Sequence, residues 1–278
     1  MDDKTVGDFW DQNAPDWIEA VREGWDVYRD YVNNPAFLKL LGNISNKRVL
    51  DLGCGEGYNT RIFADLGATV VGVDISNLLI AAARDEESQN PKGITYHVAS
   101  GSELDTWQDE FGPEPFDMVL STMVMMDLPD YATCVKQVAK LLKPGGIFQF
   151  SICHPCTMTR KWQWVLNDED RREGVVVGDY FPKSRKNRHE DIDEWYFGAA
   201  PAHVRREVRP FQIPRFFRTL SDYFNTLSDN DFIVDRLEEP YASDDVIAKC
   251  PNVADTQLVP YFLMFRCILD HKSPAETG

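Results

Sequence analysis

No run in this 278-residue sequence approaches the roughly 18–20 consecutive apolar residues that cross a bilayer, so a membrane span is not expected. Cations are also scarce. The 29 Lys and Arg against 45 Asp and Glu leave a formal charge of −16, which argues against duplex nucleic acid or an anionic membrane as the main partner. Cysteine is sparse and scattered: Cys54, Cys134, Cys153, Cys156, Cys250 and Cys267 sit among apolar neighbours and form no spaced framework. The opening MDDKTVGDFW lacks the basic start and apolar core of a secretory signal, and a reduced, cytoplasmic protein is expected. Internal repeats and low-complexity tracts are missing too. What remains is a globular composition, 43% hydrophobic and 27% charged, far from the signature of disorder. The length suffices for one domain carrying a large insertion, with no disulfide or metal staple needed.

Along the chain, the first 46 residues place Trp10, Trp17, Ile18, Val21, Trp25, Tyr28, Tyr31 and Val32 near helical period until Asn33-Asn34-Pro35 interrupts. A helical cover over residues 1–46 is expected. From Arg48 onward, short apolar runs alternate with helical stretches: RVLDLG, TVVGVD, ITYHVA, FDMVLS and GIFQFSIC, separated by helices over Tyr58–Leu66, Asn77–Ser88 and Tyr131–Leu142. The last of these helices is closed by Lys143-Pro144-Gly145-Gly146. Such alternation implies βαβ units, and right-handed crossovers then require a mostly parallel sheet with helices on both faces, a doubly wound α/β fold.

After Cys153 the rhythm breaks for about sixty residues and resumes with a helix over Phe216–Asn230 and strands in FIVDRLEEP and YFLMFRCIL. The expected organisation is a core over 47–154 and 216–270, an inserted lid over 155–215 and a tail over 271–278. Met158 to Arg218 carries 13 Lys and Arg against 10 Asp and Glu, a charge of +3, which leaves −19 for the rest. The insertion faces a different task from the core.

Chemistry concentrates at Asp51-Leu52-Gly53-Cys54-Gly55-Glu56-Gly57, at the end of the first strand and the start of a helix. Missing side chains let a ligand approach the backbone there, and the amides of a helix N-terminus are free to donate. Asp74 ends the second strand 17 residues past Gly57, where a carboxylate can accept both hydroxyls of a ribose. An adenosine-type cofactor follows. The glycines fall at 53, 55 and 57 with Tyr58 after them, a poor match to the G-x-G-x-x-G spacing of dinucleotide folds.

D-x-G-x-G-x-G preceded by Val49-Leu50 and followed by Asp74 resembles the first two motifs of the class I S-adenosylmethionine-dependent methyltransferases. FDMVLSTMVMMDLPD is similar to that family's fourth strand and following loop, and LLKPGGIFQFS to its next helix, turn and fifth strand. The element DVYR at Asp26 to Arg29 and the pair His154-Pro155 resemble its small-molecule branch, the quinone and natural-product methylases.

The resemblance implies a Rossmann-like, seven-stranded, mostly parallel sheet with the last strand antiparallel, and S-adenosyl-L-methionine as cofactor with S-adenosyl-L-homocysteine as product. It further implies that Gly53, Cys54 and Gly55 line the methionine and ribose portion while Asp51 orients the loop and senses the amino group. Asp74 would hold the ribose diol, Ile75 would lie against adenine, and Ser100, Gly101 and Ser102 would edge it. Thr122 and Met123 would offer backbone to the amino group. Arg29 is the expected partner of the methionine carboxylate, since a guanidinium pairs bidentately, although an ion pair with Asp26 or Asp30 competes.

His154 leaves the fifth strand at the carboxyl edge of the sheet, where doubly wound folds bind ligands, and is the expected catalytic base and substrate contact; capping of the strand end is the competing role. Cys153 and Cys156 flank it, but no second cluster completes a zinc set, and no metal is expected. Trp162, Trp164, Tyr180, Phe181, Trp195, Tyr196 and Phe197 either pack the insertion or line an apolar pocket, and Trp195, Tyr196 and Phe197 are the expected substrate contacts. The run Lys183 to Arg188 reads as a solvated face.

The expected function is methylation of a small apolar or aromatic metabolite, at oxygen before carbon, with no nucleic acid or membrane partner and homo-oligomerisation left open. A non-catalytic cofactor-binding module and an NAD(P)-dependent oxidoreductase are the alternatives.

Overall fold

The structure is a computed structural model that describes residues 1–181, 190–203 and 210–270. Helix α1 (Asp3–Arg22) is capped by Asp2, whose side chain accepts from the Thr5 amide. A π-turn over Arg29–Asn33 runs directly into α2 (Asn34–Leu41). The expected break at Asn33-Asn34-Pro35 is therefore a helix start, because proline in a first turn lacks only an N–H that would have no partner anyway.

Strands β1 (Arg48–Leu52), β2 (Thr69–Asp74), β3 (Thr95–Val98), β4 (Phe116–Thr122) and β5 (Leu142–Cys153) alternate with α3 (Tyr58–Asp65), α4 (Asn77–Gln89), the single turn α5 (Gln108–Phe111) and α6 (Tyr131–Leu141). The insertion contributes two hairpins, β6 (Lys161–Leu166) with β7 (Arg172–Gly178), and β8 (Glu190–Trp195) with β9 (Phe211–Phe216). Then come α7 (Leu220–Asp229), β10 (Phe232–Glu238), α8 (Asp244–Lys249), a 3-10 segment over Pro251–Gln257 and β11 (Phe262–Leu269). The helix expected from Phe216 starts at Leu220 instead. Phe211–Phe216 is taken up by pairing with β8, and Thr219 and Asp222 form a reciprocal capping box.

Seven strands form one sheet in the order β10-β11-β5-β4-β1-β2-β3, parallel except for β11, which runs against both β5 and β10. This is the doubly wound architecture that the alternation implied, with the Rossmann-like, seven-stranded sheet and antiparallel last strand that the resemblance implied. Strand period puts Leu50 and Leu52 on one face, packed with Val71, Val138 and Phe150, and Val49 on the other with Phe37, Phe63 and Leu120. The order reverses between β1 and β4, and the crevice beyond their carboxyl ends is where such sheets bind ligands.

Candidate functional site

The turn after β1 fills that crevice with backbone. Gly53 has φ +75°, and a Cβ there would lie 2.2 Å from Val124 Cγ2. Gly55 has φ +56°, but a Cβ on it would meet nothing within 4 Å, so the space above its backbone is open. The Gly55 amide donates to Asp74 Oδ2 and the Ser76 amide to Asp74 Oδ1, both at 2.9 Å. Burial pushes the Asp74 carboxyl up to about 6. On β1, Asp51 Oδ2 accepts the Thr60 hydroxyl at 2.6 Å while its Oδ1 is buried without a partner, and burial pushes this carboxyl up to about 7. An orphaned carboxylate oxygen beside a backbone cradle suits a ligand bearing a cationic group.

A cavity of about 620 Å³ extends from this turn to the insertion, a volume ordinary for a cofactor with a small acceptor. Gly53, Cys54, Gly55, Asp51, Asp74 and Ile75 line it at the sheet end. Gly101, Thr122, Met123 and Arg29 stand on the same wall. Met123 holds a left-handed φ of +61°, an uncommon backbone state for a residue other than Gly, Asn or Asp. Ser100 and Ser102 lie outside the lining, and their hydroxyls bond the Asp3 carboxylate of α1. Arg29 Nε is 2.8 Å from Asp30 Oδ1 and its guanidinium sits 4.1 Å over the Tyr58 ring, so the ion pair and the cavity wall share one side chain.

At the other end Trp195, Tyr196 and Phe197 line the cavity as expected from their place in the insertion. Trp17 of α1 packs against Trp195, Phe197 and Phe211 at ring distances of 5.7, 5.3 and 5.5 Å. Asn13 adds hydrogen bonds to the Gln212 backbone in both directions. Helix α1 and the β8–β9 hairpin thus make one roof. The run Lys183 to Arg188 lies outside the described residues.

His154 is the exception. It is 5% exposed but not on the cavity wall; its Nε2 is 2.8 Å from Glu239 Oε1 and its Nδ1 accepts the Cys156 amide at 3.2 Å. The bend after β5 turns the ring toward the β10 side, and the hydrogen bonds it makes are those of a strand-end cap. Charged residues that sequence reasoning passed over take that end of the wall: Asp127, Asp193 and Arg215. Their signal was a lone acid inside the apolar run MVMMDLP and a lone cation inside FQIPRFF.

Comparison with known proteins agrees with this geometry. Residues 50–150 match the family described as methyltransferase domain. An S-adenosylmethionine-dependent methyltransferase from Mesorhizobium loti is 25% identical and superposes with a TM-score of 0.64 over 84% of this chain and 96% of its own. A Listeria monocytogenes structure described as a putative S-adenosylmethionine-dependent methyltransferase shares the fold at 23% identity and TM-score 0.64, covering 85% of this chain and 96% of its own. The ubiquinone biosynthesis O-methyltransferase of Bradyrhizobium sp. strain ORS 278 is 36% identical over 125 residues, 45% of each chain, so the match spans about half the length of that relative. Over residues 50–150, the motif D-x-G-x-G-x-G, the cradle it forms and the family match identify a methyltransferase domain.

Proposed function

We propose that this protein transfers a methyl group from S-adenosylmethionine to a hydroxyl oxygen of a small, largely apolar, aromatic metabolite. The observation that carries the reading is the continuity of one cavity from the glycine turn to the aromatic insertion, which allows cofactor and acceptor to lie end to end. Similarity of the core to ubiquinone biosynthesis O-methyltransferases supports oxygen over carbon as the atom methylated.

In this reading the backbone of Gly53, Cys54 and Gly55 receives the methionine and ribose portion. Asp74 keeps lone pairs for the ribose diol beyond the two amides it already accepts. Asp51 Oδ1 meets the amino group together with the Thr122 and Met123 backbone, and Arg29 meets the carboxylate. Ile75 and Gly101 flank the adenine, with Ser100 and Ser102 setting the loop around it through Asp3. Trp195, Tyr196 and Phe197 receive the acceptor ring.

When bound, the cofactor supplies a methyl group already activated on a sulfonium. The protein's part is to hold the acceptor oxygen in line and about 3 Å from the methyl carbon, and to keep water out. The aromatic roof serves both ends. All six cysteines are free thiols, which supports a reducing, cytoplasmic location.

The test is calorimetry with S-adenosylmethionine, S-adenosylhomocysteine and NAD, followed by transfer of labelled methyl to a panel of phenols, quinols and indoles. Micromolar affinity for the first two ligands and label in a phenol or quinol are expected. Preference for NAD would revive the oxidoreductase, and binding without transfer across the panel would revive the non-catalytic module.

A further inference from the structure

The cofactor end of the cavity is explained by the glycine turn, but the end under the insertion holds charged side chains for which the reaction above has no role. Asp127 follows β4, is 5% exposed, and its Oδ1 is buried with no hydrogen-bond partner. Arg215 on β9 lies on the same wall; its Nε is 2.9 Å from Asp193 Oδ2 without an aligned hydrogen bond. An unpartnered acceptor and an unaligned donor, both buried, therefore border the same chamber. Leaving such a group unsatisfied is costly, and a ligand that supplies the missing partner recovers that cost.

The loop that presents Asp127 is fixed from behind. Arg218 donates to the carbonyl oxygens of Met125 and Pro129 at 3.2 Å each, and to that of Leu128. The Phe216 amide donates to Met126 O at 2.9 Å, and the Asp127 amide to Val124 O at 2.8 Å. Strand β9 thus locks the turn of Asp127 and carries Arg215 beside it. Side chains held in this way on rigid elements are the form that acid–base groups take.

We propose that Asp127 is the general base for the acceptor, that Arg215, steadied by Asp193, faces the oxygen as it gains negative charge, and that the acceptor therefore carries an acidic hydroxyl. This rests on the methyltransferase reading above and assigns its base. The hydroxyl proton passes to Asp127 Oδ1 as the acceptor oxygen forms a bond to the methyl carbon. The methyl–sulfur bonding pair stays on sulfur, so the products are a methyl ether, a neutral thioether and a protonated Asp127 that later loses its proton to solvent. Burial pushes the Asp127 carboxyl up to about 7, against the pull of Arg215 and Arg218 and helped by Asp193. A base poised there is suited to taking a proton near neutral pH. Cys153, at the end of β5, and Tyr223 on α7 complete the groups around Arg215.

The probes are catechol and 4-nitrocatechol, the second already ionised at about pH 8. With Asp127→Asn, turnover of catechol should fall by about 100-fold or more, while 4-nitrocatechol falls by less than about tenfold, since its proton is already gone. The wild-type rate with catechol should decline below about pH 7, and the variant should lose that limb. Calorimetry on the free protein should give a catechol dissociation constant about tenfold weaker in the variant, with cofactor affinity unchanged. Asp127→Glu, which keeps the carboxylate, should restore part of the rate and the acid limb. Equal losses on both probes, or none on either, would overturn the assignment. If the wild type binds S-adenosylmethionine but methylates neither probe, the inference fails while the methyltransferase reading stands. If it does not bind the cofactor, that reading itself fails.

Discussion

The Gly55 amide donates to Asp74 Oδ2 at 2.9 Å, joining the first and second βα turns through one carboxylate. This bond fixes the turn in the shape that leaves open space over Gly55 and aims the carboxylate at the same cavity. Asp74→Ala should weaken S-adenosylmethionine binding by more than about tenfold, roughly 1.4 kcal/mol, because the ribose loses its acceptor and the turn its brace. Calorimetry measures it. Unchanged affinity would remove Asp74 from the ribose.

Asp51 carries a different expectation, in stability. Its folded pKa is raised by burial, so the folded state disfavours the ionised form. The sign follows: the penalty is absent below the unfolded value near 4, grows as pH rises through the interval up to about 7, and is complete above it. Asp51→Asn, which can still accept from Thr60, should therefore stabilise the ligand-free protein at about pH 8 by an amount on the order of 1–4 kcal/mol and have little effect near pH 4. The same change should weaken cofactor binding, since the ammonium loses its counter-charge. Thermal melts at the two pH values, with and without S-adenosylhomocysteine, separate these effects. Equal melting temperatures for variant and wild type at pH 8 would contradict the first.

Much of the core was legible in the sequence because its signals are local. A strand buried on both faces reads as an apolar run, and glycines at 53, 55 and 57 can be counted without knowing what packs above them. The front segment was legible as a helical cover but its partners were not, because Trp195, Phe197 and Phe211 lie some 180 residues away and their pairing with Trp17 follows from tertiary packing alone. The acceptor end was read least well. His154 matched a family pattern, yet its direction depends on the bend after β5. Asp127 and Arg215 gave only the weak signal of a charge in an apolar run, and each acquires meaning through the other.

Helix α1 is tied to the body at the points that border the cofactor. Asp11 accepts the Ser76 hydroxyl at 2.6 Å and the Leu78 amide at 3.0 Å, while Asp3 accepts from Ser100 and Ser102. Asp11 thus supplements Ser76 in capping α4, whose first turn follows directly on Asp74. Asp11→Ala should loosen this end of the roof, costing about 1 kcal/mol of stability and raising the cofactor dissociation rate several-fold. Stopped-flow fluorescence can follow the release, with Trp10 and Trp17 on α1 as reporters. A dissociation rate identical to wild type would mean that the helix does not gate the cofactor.

His154 supplies the sharpest contrast between pattern and geometry. Its amide donates to Tyr261 O at 2.8 Å, its carbonyl accepts from Met158, and its ring bridges the Cys156 amide and Glu239. Every polar atom of the residue is thereby engaged in holding the chain where it leaves β5. Glu239 is 59% exposed, so the hydrogen bond to it competes with water and contributes little, at most about 1 kcal/mol. The greater loss on His154→Ala is a buried ring and the partner of the Cys156 amide, together on the order of 1–3 kcal/mol. Denaturant unfolding should register that loss, while kcat at saturating cofactor stays within a few-fold of wild type, because no atom of the ring borders the cavity. A hundredfold drop in kcat with stability and cofactor affinity intact would return the proton-transfer role to His154 and take it from Asp127.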